Sequence, residues 1–146
     1  TDWWIQREII PYVHEANKNA GWNFNFEMPE KMQFTKYGLN QHYEWHQDAF
    51  IEPFKDQEDP RFNNKIRKIS VTCQLSDGEE YEGGNLFFDA RNKDRGKDVR
   101  NIIECTKARK KGTIVVFPSF VWHKVAPVTK GTRYSLVIWF CGEMYK

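Results

Sequence analysis

Lys68-Ile69-Ser70-Val71-Thr72-Cys73-Gln74-Leu75 is the stretch on which the fold reading turns. Ile69, Val71, Cys73 and Leu75 fall on one side of an extended chain, and Ser70, Thr72 and Gln74 on the other. A period of two over eight residues is a strand signature, because successive side chains point to opposite faces. Similar segments lie on both sides of it. Gln33 to Tyr37, Tyr43 to Phe50, Asn85 to Phe88, Thr113 to Phe117 and Arg133 to Phe140 all read as strands. Asp77-Gly78 and Gly83-Gly84 punctuate them, the glycine pair as a turn that needs positive φ. Upstream, Ile5, Ile9, Val13, Ala16 and Ala20 recur at helical spacing, which predicts a helix over Trp4 to Ala20 capped by Gly21. Pro11 predicts a kink or a break near its start. One helix followed by many short strands predicts a mainly β (α+β) protein, an antiparallel sandwich or barrel behind an N-terminal helix.

Size and composition fit that reading. The 146 residues, 1–146, are one domain's worth. A chain of that length buries roughly 70% of its unfolded surface and needs no staple to fold. Aromatics at 16% suit strands or an aromatic-walled cavity. The net charge of +2 gives no general drive toward nucleic acid or a membrane surface. Locally, Asp89 to Lys111 carries nine Lys/Arg against four Asp/Glu, which reads as a solvated basic loop. Ile51 to Lys68 is polar, holds Pro53 and Pro60, and reads as a long loop of the kind that covers a binding site. Cys73, Cys105 and Cys141 form no Cys-x-x-Cys pair and point to a reducing, cytoplasmic setting, a host's cytoplasm if the gene is a phage's. There is no apolar run of 18 and no signal-peptide pattern, so no membrane association is expected. The first residue is Thr1 rather than Met, consistent with a trimmed N-terminus.

The chemistry begins at His46-Gln47-Asp48. On a strand, residues two apart share a face, so an imidazole and a carboxylate can meet at one ion. With four His and 20 acidic residues, such a pair also arises readily by chance. Context strengthens it. His123 follows the segment ending Phe117-Pro118, and two His with one carboxylate make the facial triad of non-haem iron(II); zinc could use the same ligands. Arg133 stands ten residues after His123 at the head of an apolar strand, with Ser135 on the same face. A buried guanidinium there needs an anion, and its planar fork suits a carboxylate with a hydroxyl alongside. His42 shares parity with His46, but the loop before it breaks the strand.

Five segments, FTKYGLNQHYEWHQD, RKISVTCQLSD, YEGGNLFF, FPSFVWHKVAP and GTRYSLVIWF, together resemble the 2-oxoglutarate/iron(II) oxygenase superfamily. The likeness is strongest to its prolyl 4-hydroxylase-like branch of bacteria and phages and spans Phe34 to Phe140. It implies a double-stranded β-helix (jelly-roll) with iron at one open end. It implies oxidative decarboxylation of 2-oxoglutarate by O₂, coupled to hydroxylation of an unactivated C–H, and stimulation by ascorbate. Residue by residue, it implies His46, Asp48 and His123 as iron ligands, Arg133 and Ser135 for the distal carboxylate, and Tyr37 and Tyr43 lining the cosubstrate site. Trp139, Leu86 and Val125 match pocket walls of the animal hypoxia-sensing prolyl hydroxylases. Where those enzymes use a further tyrosine on the distal carboxylate, the aligned residue here is Cys73, a departure that cannot do the same work. Asp48 fills the position that related halogenases vacate for chloride, so hydroxylation is implied. The leading substrate is a prolyl residue of a peptide or protein; a small molecule such as a free amino acid is the alternative. Oxidative demethylation of nucleic acid is disfavoured, because those enzymes carry a second Arg where this chain has Trp139. A jelly-roll binding module or a zinc hydrolase would leave Arg133 and Ser135 unexplained.

Overall fold

A computed structural model of the chain describes residues 3–49, 52–90 and 101–145. Among the described residues, eleven strands follow one α-helix. Helix α1 spans Trp3–Asn19. Gly21, at φ 72°, ends it in a Schellman turn, with Gly21 N donating to Lys18 O and Trp22 N to Asn17 O, both at 3.1 Å. Pro11 does not break the helix, which runs on from Trp3 to Asn19. It lies on the exposed side, where water can satisfy the carbonyl of Arg7 that loses its partner.

The major sheet is built around β4 (Lys65–Gln74) and β11 (Arg133–Glu143), which run antiparallel along most of their length. β8 (Ile114–Pro118) lies outside β4, while β1 (Met28–Pro29) and β2 (Gln33–Tyr37) share the other side of β11. The minor sheet has the order β3 (Tyr43–His46), β9 (Trp122–Val125), β6 (Leu86–Asp89), β7 (Ile102–Cys105). β5 (Tyr81–Gly83) and β10 (Val128–Gly131) form a two-stranded ribbon. The result is the predicted jelly-roll of antiparallel sheets with an N-terminal helix against it.

Alternation decides what each face of β4 and β11 does. Ile69, Val71, Ile138 and Phe140 are at most 1% exposed and pack under Ile9 and Val13 of α1. A second cluster, Tyr37, Tyr81, Leu86, Val125 and Val128, fills the space between the sheets. The opposite faces of β4 and β11 therefore turn toward a cavity and not toward water. Gly83 and Gly84 adopt φ 71° and 64°, as their turn requires, and a Cβ on Gly83 would strike Pro127 O.

Several boundaries differ from the sequence reading. β4 begins at Lys65, three residues before the expected start at Lys68, so the polar stretch expected to loop as far as Lys68 ends at Asn64. A 3-10 turn at Pro60–Phe62, capped by the Asp59 side chain, lies within it. β3 stops at His46 rather than running on to Phe50. Of the basic stretch Asp89 to Lys111, residues 91–100 lie outside the described residues; Ile102–Cys105 forms a strand and Thr106–Arg109 a 3-10 turn, where a loop was expected. No described helix is long and apolar enough to cross a membrane.

Candidate active site

The cavity between the sheets, about 290 Å³, is lined by the ten residues expected to hold metal or cosubstrate: Tyr37, Tyr43, His46, Asp48, Leu86, His123, Val125, Arg133, Ser135 and Trp139. A larger groove of about 560 Å³, between Trp22–Phe24 and Glu143–Tyr145, holds no such constellation.

His46 and His123 are direct register partners in the β3–β9 pair. A bulge between Tyr43 and His46 places one extra residue in β3. It turns Tyr43 and His46, three apart, to the same side, with ring centroids 4.0 Å apart. Asp48 arrives differently from the strand-parity expectation. It lies beyond the end of β3, in a turn whose Asp48 and Ala49 amides donate to Ser119 O at 2.9 and 3.0 Å. Asp48 Oδ1 comes within 3.2 Å of His46 Nε2 and 3.4 Å of His123 Nε2. The three ligand atoms lie within 4.8 Å of one another. His42 is exposed and pairs with Glu44 at 3.3 Å, outside this group.

The imidazoles are oriented from behind. His46 Nδ1 lies 2.7 Å from Glu44 O, and His123 Nδ1 lies 2.9 Å from Val121 O. With Nδ1–H donated to a carbonyl, each Nε2 turns a lone pair toward Asp48. Three electron-pair donors at one point repel unless a proton or a metal cation lies among them. Burial opposes ionisation of Asp48, yet its contacts with His123 and His46 and the hydrogen bond donated by Ser70 outweigh it and hold the carboxyl well below the usual carboxylate range. The donor set of two imidazoles and one carboxylate fits ferrous iron.

Arg133 is 5% exposed and heads β11. Its Nε donates to Gln74 Oε1 at 3.1 Å, its guanidinium lies 5.3 Å from the Tyr37 ring centroid, and its Nη1 is buried with no partner among the described residues. Burial lowers its pKa below the ordinary arginine value, but a guanidinium stays charged at any physiological pH. A buried cation with an unused donor facing a cavity fits an anionic ligand such as the distal carboxylate of 2-oxoglutarate. Trp139 Nε1 is the other buried donor without an acceptor, and the Arg67 guanidinium stacks on its indole at 3.9 Å.

Cys73 is not beside Arg133. It pairs with Leu136 on β11 and takes the face opposite to Ser135 and Gln74. Gln74 takes the place beside the guanidinium, and its Nε2 donates to Tyr81 OH at 2.8 Å. Sequence reasoning passed over both, because a Gln on a strand and a Tyr after a turn carry no chemistry alone. The available signal was parity: Gln74 and Arg133 fall on the polar side of two strands that pair. Tyr81→Phe is expected to orphan Gln74 Nε2 and cost about 1–3 kcal/mol in denaturant unfolding. It should also loosen Arg133, read as weaker binding of 2-oxoglutarate by calorimetry; an unchanged affinity would show that Arg133 needs no such support.

An antiparallel jelly-roll with two imidazoles, a carboxylate and a buried guanidinium lining one cavity is the architecture of a metal-dependent oxygenase. The sequence model of the 2OG-Fe(II) oxygenase superfamily matches residues 32–141, and the chain belongs to that superfamily. A PKHD-type hydroxylase of Synechococcus sp. (strain CC9605) is 34% identical over 105 residues, covering 72% of this chain and 39% of that one. A PKHD-type hydroxylase of Xanthomonas campestris pv. campestris (strain B100) is 28% identical over 143 residues, covering 92% and 55%. Among solved structures, a Pseudomonas putida prolyl-4-hydroxylase superposes with a TM-score of 0.55 at 26% identity, covering 88% of this chain and 64% of that one. A viral collagen prolyl hydroxylase from Paramecium Bursaria Chlorella virus-1 reaches a TM-score of 0.59 at 18% identity over 97% and 67%, a likeness of fold. The chain spans between 39% and 55% of the length of these two curated relatives.

Proposed function

We propose that this protein uses ferrous iron, 2-oxoglutarate and O₂ to hydroxylate an unactivated C–H, most directly that of a prolyl residue in a peptide or protein, with ascorbate as a stimulant. The observation that carries this is the convergence of His46, Asp48 and His123 in the same cavity as the unsatisfied Nη1 of Arg133. In this reading residues 1–146 act as one domain, and His46, Asp48 and His123 hold the metal.

When bound, iron and 2-oxoglutarate supply the oxidising chemistry; the protein contributes placement and shelter. His46, Asp48 and His123 would hold the metal, and with only three protein ligands it would have positions left for the cosubstrate. Arg133 grips the far carboxylate of the cosubstrate, with the Ser135 hydroxyl beside it on the same face. Tyr37, Leu86 and Val125, each under 9% exposed, wall the cavity and keep water from the reacting atoms. Tyr43 and Trp139 complete the lining. The Pseudomonas putida neighbour, named a prolyl-4-hydroxylase, supports a prolyl residue in a peptide or protein as the substrate. The three free cysteines support a reducing, cytoplasmic setting.

The test is succinate release after anaerobic reconstitution with iron(II), over proline-rich peptides, free amino acids and oligonucleotides. The expected result is iron-dependent succinate coupled to peptide hydroxylation. Coupling only to amino acids or to oligonucleotides would reject the peptide substrate, and no iron-dependent succinate with any of them would reject the oxygenase reading.

A further inference from the structure

Two serines behind Asp48 carry a role that the ligand set alone does not describe. Ser70 lies in the middle of β4, opposite Trp139 on β11 and Phe117 on β8. Ser119 follows β8 directly. Both are 0% exposed. Ser70 Oγ donates to Asp48 Oδ2 at 2.7 Å and lies 2.9 Å from Ser119 Oγ. The direction of these bonds is fixed by proton count. The ionised carboxylate only accepts, so the one Ser70 proton goes to Asp48, and the Ser119 proton fills the contact with Ser70 Oγ. Ser119 also holds the Asp48 backbone, through its carbonyl to the Asp48 and Ala49 amides, while its own amide donates to Lys68 O at 3.0 Å. One pair of residues therefore grips Asp48 at both main chain and side chain.

The two carboxylate oxygens are thereby given separate tasks. Oδ2 is occupied by the serine chain, while Oδ1 faces both imidazoles. A carboxylate free to swing could bind a metal through both oxygens and use up a position that a facial triad leaves open. We propose that Ser70, oriented by Ser119, is a positioning residue that restricts Asp48 to one-oxygen ligation. The proposal rests on the metal-site reading given under the proposed function and adds to it the reason the open positions stay open.

Anaerobic titration of the intact protein with cobalt(II), followed by d–d absorption, reads both affinity and coordination. Ser70→Ala is expected to weaken cobalt binding by roughly 10–100-fold, the usual effect of losing a group that supports a ligand, and to change the band intensities. Ser70→Thr, which keeps the hydroxyl, should restore the wild-type spectrum. Ser119→Ala should weaken binding by a smaller factor, and should add nothing when combined with Ser70→Ala, because it acts through Ser70. Wild-type affinity and spectrum in Ser70→Ala would overturn the proposal, as would an undiminished Ser119→Ala effect in the double variant. If Ser70→Ala does not fold, Ser119→Ala decides alone: a weakened, altered cobalt spectrum supports the proposal and an unchanged one overturns it. Failure of the wild type to bind cobalt at all would instead remove the metal site on which the proposal stands.

Discussion

Asp48→Ala is expected to reduce iron-dependent turnover to background while the protein still folds. The carboxylate is the only acidic member of the cluster that can hold a metal among the described residues, and its Oδ1 is the atom both imidazoles face. Losing a supporting partner of a ligand costs about 10–100-fold, so losing the ligand should cost more than about 100-fold. Stability should change far less. Ser70 loses its acceptor in the variant, a cost of about 1–3 kcal/mol. For a domain of this size that lowers Tm by about 2–4 °C for each kcal/mol. The sign of the pH dependence follows from the depressed carboxyl. A folded-state pKa below the unfolded one contributes stability that is present above the unfolded value, about 3.9, and is lost as pH falls toward the folded one. The gap in stability between metal-free wild type and Asp48→Ala should therefore be full at neutral pH and begin to close below about pH 4. Asp48→Asn, which keeps the shape and an acceptor for Ser70, should also fold and still lose turnover. Retention of even a tenth of wild-type turnover in Asp48→Ala would show that Asp48 is not a metal ligand.

The long strands were legible because each has two faces with different duties. In β4 the apolar side meets α1 and the polar side meets the cavity, so a period of two survives in the residues themselves. β2 has the bounds its alternation predicts, Gln33–Tyr37. Five strands escaped: β1, β5, β7, β9 and β10. Each is two to four residues long, too short for a period to be seen, and is defined by the partner it pairs with. The helix was legible despite Pro11, because the stripe of Ile9 and Val13 continues on both sides of it. The candidate site was readable by residue type and order, and less so by geometry. Two adjustments place it: the bulge in β3 that sets His46 opposite His123, and the turn held by Ser119 that brings Asp48 back toward them. Neither leaves a trace in the spacing His46-Gln47-Asp48. The supporting residues Ser70, Gln74, Tyr81 and Ser119 were invisible for a related reason. Their chemistry is ordinary, and only the pairing of β4 with β11 and β8 gives it a target.

Arg133→Met should separate cosubstrate binding from folding, because the two respond with opposite tendencies. A carboxylate held by the guanidinium gains two charge-assisted hydrogen bonds, each about 1.5–3 kcal/mol. Removing them should raise the KM for 2-oxoglutarate by roughly 10²–10⁴-fold, at about 1.4 kcal/mol per decade. The interaction is made in the ground state and kept during reaction, so kcat at saturating cosubstrate should fall much less than KM rises. Without cosubstrate, the wild type carries a buried cation whose Nη1 has no partner among the described residues, and desolvation already lowers its pKa. Replacing such a group by an apolar one of similar volume is often neutral or stabilising by about 1–4 kcal/mol. The Gln74 Oε1 it leaves behind offsets part of that gain. Metal-loaded Arg133→Met should therefore melt near or above the wild type, yet fail to gain the rise in Tm that 2-oxoglutarate gives to any protein binding it in the folded state alone. Arg133→Lys should lie between, since an ammonium restores charge without the fork. A variant that melts far below wild type and keeps its cosubstrate affinity would assign Arg133 to the core instead of the site.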